Sequence, residues 1–270
     1  MVFEPKHDRP YFFKYTSFDA ALFVLSNYTL RWSSPLLFND PFDFQIRLGL
    51  NFEDDEEYYV KKFCELSLSQ LTEKDISSYL TKMQAMGNWF DKDEDEQNKE
   101  YRILCLAERN DNILMWSHYS DNHRGVVLKL KCIPELDTPT LAAKKVKYQE
   151  SVPVIYTREE WMESLLTGKG RLSRISDEEI FALKTLTKSI IWKYEEEWRI
   201  FSKKSQDNGQ LYEDVPFYPE EIEAIYLGCC MIEENKKKIF DLARNLNAKV
   251  YQAKKDKNKY ALNFEEIVGF

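Results

Sequence analysis

The spacing of hydrophobic positions changes period along the chain, and the first change defines a compact unit over residues 11–33. The aromatic run YFFKY and the later run TLRWS predict two strands. Between them, apolar residues recur at helical spacing, at Ala20, Leu22, Phe23 and Leu25. Thr16 and Ser17 are typical of a helix start, and Asn27 is a plausible stop. The pattern therefore predicts strand, helix and strand in succession.

The remaining pattern alternates charged helical stretches with short strands. Residues 51–100 read as amphipathic helices with an acidic end, which predicts a helical insertion or lid. Strand patterns follow at YRILCLAE, RGVVLKLK and KKVKYQ, and a helical stretch covers 159–189. The chain ends with the strands IWKYEEEWRIF, AIYLGCC and KVYQAKK, with the helix EENKKKIFDLARNL before the last of them. We expect an α+β fold, with one domain over residues 1–270 and the insertion at about 51–100.

Composition narrows the class of protein. The hydrophobic fraction of 43%, with 14% aromatic residues, is typical of a folded chain. Five cysteines without C-x-x-C spacing, no export signal and no membrane-spanning run predict a cytoplasmic protein. The formal net charge of −8 means that nucleic-acid contact would need a local basic groove. No G-x-G-x-x-G or G-x-x-x-x-G-K-[ST] loop is present, so neither common nucleotide-binding motif is available.

The most informative polar segment is WKYEEEWR, residues 192–199. As a strand it would place one set of alternate side chains on each face, with Lys193, Glu195, Glu197 and Arg199 together. The flanking cations would relieve the repulsion between the two carboxylates, which could then stabilise a developing positive charge such as an oxocarbenium ion. A solvated strand face is the alternative, and a helical segment would separate the two glutamates.

The segment MWSHYSDNHRG, residues 115–125, gathers aromatic, hydroxyl and histidine side chains before an apolar strand. Such a set suits a pocket for a flat ring and a sugar, with Trp116 stacking and with His118 and Tyr119 hydrogen-bonding. A buried helix packed under a sheet would produce the same pattern. Both interpretations remain open from the sequence.

The third polar segment runs from Arg31 through Asn39 and Asp40 to Asp43 and contains two prolines. Arg31 could hold a diphosphate through paired N–H donors. The alternatives are a surface arginine and a purely structural turn at Asn39 and Asp40.

Two specific functions can be written for these residues. A metal-dependent nuclease would gather Asp40, Asp43, Glu195 and Glu197 around Mg²⁺, with Lys193 beside the phosphate. A non-catalytic binding or regulatory module would use the aromatic motifs as core and the 51–100 region as a partner surface. Zinc hydrolase and α/β-hydrolase motifs are absent from the sequence.

Four segments in order, LRWSSPLLFNDPFD, ILMWSHYSDNHRGVVLKL, VKYQ and KSIIWKYEEEWRIF, resemble an uncharacterised bacterial family that is known only as a domain of unknown function. More distantly, FFKYTSFDAALFVLSNYTLRWS resembles the opening of ADP-ribosyltransferases of the DarT and RNA-phosphotransferase type. That resemblance implies a split β-sheet core. In those enzymes a histidine or arginine begins the cofactor site, and Lys14 stands at that position here.

The resemblance implies NAD as substrate, with no metal, and Glu197 as the catalytic residue within the pair Glu195-x-Glu197. Glu197 would bond the nicotinamide ribose while a nucleophile attacks C1′. The implied cofactor-binding residues are Lys14, Tyr15, Arg31, Asn39, Asp40, Trp116, His118, Tyr119 and Arg199. The implied role is a bacterial toxin or anti-phage effector that modifies RNA, DNA or a protein. Possible partners are an antitoxin or regulatory protein and a nucleic-acid substrate, with no membrane.

Overall fold

A computed structural model describes residues 7–47, 94–157 and 176–268, together with isolated positions between these ranges. The chain divides into two compact units. The first comprises Met1–Phe38, Glu100–Val146 and Ile191–Phe270, and the second comprises Asn39–Lys99 and Lys147–Ile190. Most of the predicted helical insertion at 51–100 lies outside the described residues, and its last part, residues 94–99, is helical.

Twelve strands are described, and all except β6 and β7 belong to one mixed sheet. In chain order they are β1 (Tyr11–Thr16), β2 (Thr29–Ser33), β3 (Tyr101–Ala107), β4 (Val126–Lys131), β5 (Lys144–Lys145), β6 (Lys147–Gln149), β7 (Thr187–Ser189), β8 (Glu197–Lys203), β9 (Tyr212–Pro216), β10 (Ile222–Leu227), β11 (Lys249–Lys255) and β12 (Leu262–Glu266). The described part of the chain is therefore of mixed α and β composition, as the sequence pattern predicts.

Five α-helices are described: α1 (Phe18–Asn27), α2 (Glu94–Lys99), α3 (Ile113–Tyr119), α4 (Asp177–Thr185) and α5 (Glu233–Asn245). The predicted boundaries of α1 are confirmed. Ser17 caps its first turn by accepting a hydrogen bond from the amide of Ala20, and Tyr28 ends it in the left-handed region. Within the described residues, no helix has the length and apolar character needed to cross a membrane.

The ten-stranded sheet of the first unit has a narrow junction between β1 and β3. On one side lie β4, β10, β11 and β12, and on the other β3 pairs with β8 along seven residues. Strand β1 meets β3 at one position, where Phe13 lies opposite Ala107, and β2 meets the same strand at Ile103. Between these two positions, the Nζ of Lys14 donates to the carbonyl of Cys105 at 3.0 Å. The sheet thus opens beside β3, and a lysine side chain lies at the opening.

Both faces of this sheet carry a hydrophobic core. One face buries Phe12, Leu104 and Leu128 against α1 and α5 residues such as Leu25 and Phe240. The other face carries a smaller cluster in which α3 covers the aromatic side chains of β1. Because residues alternate along each strand, the side chains of β1 serve both clusters. The burial holds α3 against the sheet and so fixes the position of the following loop.

The second unit contains the parallel pair β6 and β7 and the helices α2 and α4. A capping box begins α4, since Ser176 and Glu179 exchange side-chain-to-backbone hydrogen bonds. The Nζ of Lys188 lies 3.6 Å from a carboxylate oxygen of Asp43, and both side chains are buried. Asp40 accepts from the amide of Phe42 at 2.9 Å, which is a local turn bond.

The prediction of one strand through residues 192–199 is wrong for its first half. Ile190–Glu195 form a 3₁₀ turn, Glu196 has φ 47°, and β8 begins at Glu197. The side chain of Asn112 donates to the carbonyl of Tyr194, which anchors the turn from a distant part of the chain. A left-handed residue between Glu195 and Glu197 breaks the alternation, so the four charged side chains do not share one strand face. Only Glu197 and Arg199 keep the predicted relation.

Candidate functional site

Glu197 and Arg199 form a buried ion pair on β8. The Nε of Arg199 donates to one carboxylate oxygen at 2.8 Å, and its second nitrogen donates to the other at 3.0 Å. Glu197 is 5% exposed and Arg199 is 0% exposed. The two residues share a face because they lie two apart on a strand. The ring of Phe38 lies 5.4 Å from the guanidinium carbon, so the cation also contacts an aromatic face.

Cys105 lies beside this ion pair on the neighbouring strand β3, where it is paired with Arg199. Burial raises the pKa of the Cys105 thiol, and the nearby carboxylate of Glu197 raises it further. The thiol is therefore held in its neutral form. Lys14 of β1 bonds the Cys105 carbonyl, so the strands that neighbour β3 carry charged groups of both signs, Lys14 on β1 and the ion pair on β8.

Glu195 supplies the second carboxylate of the region, and Tyr119 of α3 holds it in place. The hydroxyl of Tyr119 donates to Glu195 at 2.6 Å, and Glu195 is 4% exposed. Asn112 caps the start of α3 by accepting from the amides of Leu114 and Met115. Because the same Asn112 side chain donates to Tyr194, the cap also ties the helix to the turn that carries Glu195.

Tyr119 also lines an open cleft of about 790 Å³. His118 is exposed there, and its ring lies 6.5 Å from the rings of Trp192 and Tyr194. Other lining residues are Ser17, Asp19, Asp121 and Arg124, which supply both acidic and basic groups. The cleft offers aromatic and hydrogen-bonding surface next to a buried carboxylate, which is a suitable arrangement for a polar ligand that carries a flat ring.

The loop after α3 is tightly constrained. Asp121, Asn122 and His123 all have positive φ, between 45° and 65°. A Cβ at Gly125 would lie 2.2 Å from the carbonyl oxygen of Thr16, so only glycine fits there. This constraint fixes the wall of the cleft that Asp121 and Arg124 form.

Two of the residues expected to bind a cofactor lie in the core on the α3 side of the sheet. Trp116 is fully buried, and its indole N–H donates to the carbonyl of Asn110 at 2.6 Å. The Tyr15 hydroxyl donates to the carbonyl of Arg109 at 2.9 Å, and burial raises its pKa. The buried-helix interpretation therefore describes Trp116, which packs against the Tyr15 ring at 5.7 Å and presents no open ring face to a ligand.

The other predicted binding residues are distributed. Arg31 lies on β2 and makes two hydrogen bonds to Asp214 of β9, at 3.0 and 3.1 Å. Its charge is thus matched by a carboxylate, while 49% of its side chain remains exposed. Asn39 and Asp40 belong to the second unit, where Asp40 forms the local turn already described. Lys14, His118, Tyr119, Glu195, Glu197 and Arg199 all belong to the first unit.

Residues 115–200 match a family model described as "Protein of unknown function (DUF2971)". The match covers about a third of the chain and includes two of the three polar segments, MWSHYSDNHRG and WKYEEEWR. The chain is thereby similar to a family that is known as a domain of unknown function. No curated protein and no solved structure matches the chain.

Sequence reasoning missed Asn112 and Cys105. An asparagine just before a helical run is a recognised capping signal, so the cap itself could have been predicted. Its bond to Tyr194 depends on the tertiary structure. Cys105 stands in an apolar strand, and nothing in its neighbourhood in the sequence marks it as the partner of Arg199 across the sheet.

Proposed function

We propose that this protein is an NAD-dependent ADP-ribosyltransferase that acts at the carboxylates Glu195 and Glu197. The observation that carries the proposal is the position of Glu197 at the start of β8, opposite Ala107 of β3, which is the residue at which β1 and β3 meet. Beyond this residue β1 and β3 separate, which fits the split β-sheet that the resemblance implies. Tyr119 and Glu195 beside the open cleft support the same assignment.

The residues suit the charge changes of this reaction. The bond between C1′ of the ribose and the nicotinamide nitrogen breaks, and its electron pair leaves with nicotinamide. Glu197 stabilises the positive charge that develops at C1′. Since each carboxylate oxygen can accept more than one hydrogen bond, Glu197 can keep both bonds from Arg199 and accept one from a ribose at its 5% exposed edge. Arg199 favours the ionised form of Glu197, since an adjacent opposite charge stabilises a carboxylate.

The acceptor then attacks C1′ and loses a proton. Glu195 is the carboxylate that lies behind the wall of the cleft, and the Tyr119 hydroxyl contacts it at 2.6 Å. We assign Glu195 as the group that accepts this proton through the Tyr119 hydroxyl, which lines the cleft and donates to it. His118 is exposed in the cleft among Trp192 and Tyr194, where an aromatic base or nicotinamide ring can lie against them.

In the cell, we propose that the protein acts as a toxin or anti-phage effector and that an antitoxin or regulatory protein restrains it. Production of the wild-type chain is then expected to inhibit growth, and Glu197→Gln to relieve the inhibition. A metal-dependent nuclease would lose its effect on chelation. Within the described residues, no three His, Cys, Asp or Glu side chains are grouped to hold a metal ion, so the geometry gives the nuclease no support.

The test is incubation of purified protein with labelled NAD and separate pools of cellular RNA, DNA and protein. Nicotinamide release and label transfer are followed for wild type, Glu197→Gln, Glu195→Gln and Tyr119→Phe. The matched control is Glu196→Gln, which removes the same charge from the neighbouring left-handed position. Thermal melting establishes that each variant is folded at the assay temperature.

We expect Glu197→Gln to abolish both signals and Glu196→Gln to keep them. Tyr119→Phe removes one hydrogen bond to a carboxylate, which corresponds to about 1.5–3 kcal/mol, or a loss of roughly 10-fold to 150-fold. Absence of NAD turnover in all pools, or full activity of folded Glu197→Gln, would contradict the proposal. In that case the buried ion pair is a structural feature of the sheet.

A further inference from the structure

The turn between β11 and β12 concentrates positive charge on a chain that is acidic overall. Residues 255–261, which we call the lysine hairpin, read KDKNKYA. Lys255, Lys257 and Lys259 are all exposed. Among the described residues, none of these three forms an ion pair, whereas Lys254 next to them pairs with Glu265. This cluster lies on a protein whose formal net charge is −8.

The one acidic residue of the lysine hairpin is used to hold its shape. Asp256 accepts hydrogen bonds from the amides of Asn258 at 2.7 Å and Lys259 at 3.0 Å, and from the side chain of Asn263 at 3.0 Å. These bonds lower the pKa of Asp256, chiefly through the amide of Asn258. The carboxylate of Asp256 thus bonds to groups within and beside the turn, and not to the ammonium groups of the three lysines. The three lysines are presented on a preorganised loop.

The lysine hairpin also presents an aromatic ring. Tyr260 is 99% exposed, the highest value among the large exposed hydrophobic side chains of the described residues. The hairpin borders a concavity of about 540 Å³ whose other wall includes Ile113, His123 and Cys229. A fully exposed aromatic ring among unpaired lysines matches the chemistry of a nucleic-acid strand, in which charged phosphates alternate with flat bases.

The concavity lies next to the elements that hold the candidate catalytic residues. Ile113 begins α3, and Tyr119, which contacts Glu195, ends it. A helix of this length spans about 10 Å. Asn112, adjacent to Ile113, bonds the turn that carries Glu195. A strand held at the lysine hairpin therefore lies within a few nucleotides of the proposed active site.

We propose that the lysine hairpin binds single-stranded nucleic acid, with the lysines at phosphates and Tyr260 stacked on a base. The binding does not depend on catalysis. The further assignment of the bound strand as the ADP-ribose acceptor rests on the proposed function. The local cluster supplies the basic surface that the acidic chain otherwise lacks.

Binding is tested by fluorescence anisotropy, without NAD, on labelled single-stranded RNA and DNA of about 12 nucleotides and on a duplex of the same length. The variants are Lys255→Gln/Lys257→Gln/Lys259→Gln and Tyr260→Ala. The matched control replaces Lys236, Lys237 and Lys238 of α5 by Gln, which changes the net charge equally. Polyglutamate serves as a competitor that carries charge without bases.

Three phosphate contacts predict a slope of log affinity against log salt of about −2, or a loss of about 20-fold between about 50 and about 200 mM salt. We expect the hairpin variant to remove this slope and the α5 variant to keep it. Tyr260→Ala is expected to weaken single-strand binding by about 5-fold or more, because stacking is lost. Duplex binding is expected to be weak both with and without this substitution.

No binding to either single strand at low salt would overturn the proposal, as would equal loss in the hairpin and α5 variants. If polyglutamate displaces the labelled strand as well as an unlabelled single strand does, the hairpin binds polyanions in general. That result would also overturn the proposal. With NAD present, the hairpin variant should still release nicotinamide by hydrolysis, in which water attacks C1′ in place of the acceptor, but should lose label transfer to nucleic acid. A failure of NAD turnover therefore leaves the binding result intact, and label on protein alone would contradict only the acceptor assignment.

Discussion

The buried Glu197–Arg199 pair makes a quantitative prediction about stability. Both side chains are almost inaccessible, and two hydrogen bonds at 2.8 and 3.0 Å join them. Replacing Glu197 by Gln, or Arg199 by Met, leaves the other polar group buried with its partner changed. Breaking such a pair costs about 3–5 kcal/mol. For a chain of this size we expect the melting temperature to fall by roughly 6–20 °C.

The double variant provides the internal check. With both charges removed, no buried charge is left without its partner, so we expect the double variant to lose less stability than the two single variants together. Urea unfolding with a constant m-value would measure each free energy. The exposed pair of Arg31 and Asp214 has similar geometry on a solvated edge, so Asp214→Asn is expected to cost less than about 1 kcal/mol. Additive single effects, or losses below about 1 kcal/mol for Glu197→Gln, would refute the reasoning.

Two further predictions concern the loop after α3. Gly125→Ala would place a Cβ 2.2 Å from the backbone oxygen of Thr16, so we expect a marked loss of melting temperature, whereas Gly209→Ala, with open space around it, should cost only about 1 kcal/mol for its positive φ. Burial lowers the pKa of His123, and the charge of Lys255 lowers it further. The folded state therefore binds this proton less tightly than the unfolded state, and His123 makes the protein less stable as the pH falls through its ordinary range near 6.5. NMR titration should show the His123 pKa below the ordinary value and moved upward by Lys255→Gln, and an unchanged pKa would contradict the assigned cause.

The local part of the fold could be predicted from the sequence because local signals determine it. The cap at Ser17 and the helical spacing after it gave the limits of α1, and short apolar runs gave β3, β4 and β10. The 192–199 segment could not be predicted in the same way. Its alternating pattern favours a strand throughout, but Ile190–Glu195 form a 3₁₀ turn to which Asn112 donates a hydrogen bond, and the left-handed backbone of Glu196 delays the start of the strand to Glu197.

The candidate site was predictable in its residue types and less so in its grouping. Glu195, Glu197, Tyr119 and Arg199 stand in segments that polar density alone marks as unusual. Density does not distinguish a buried side chain from an accessible one, and Trp116 is therefore in the core although the pattern also suited a stacking ring. The contact between Tyr119 and Glu195 joins segments far apart in sequence, which no local signal encodes.

The order of strands in the sheet also has a consequence for how the protein folds. Strand β2, from the beginning of the chain, pairs with β9, and β4 pairs with β10, so both of the early strands acquire neighbours made much later. Contacts of such long sequence separation slow folding, because a large loop must close before they form. During synthesis one edge of β2 and one edge of β4 stay unpaired until the last third of the chain emerges. We therefore expect slow refolding, and aggregation of nascent chains that end before β9.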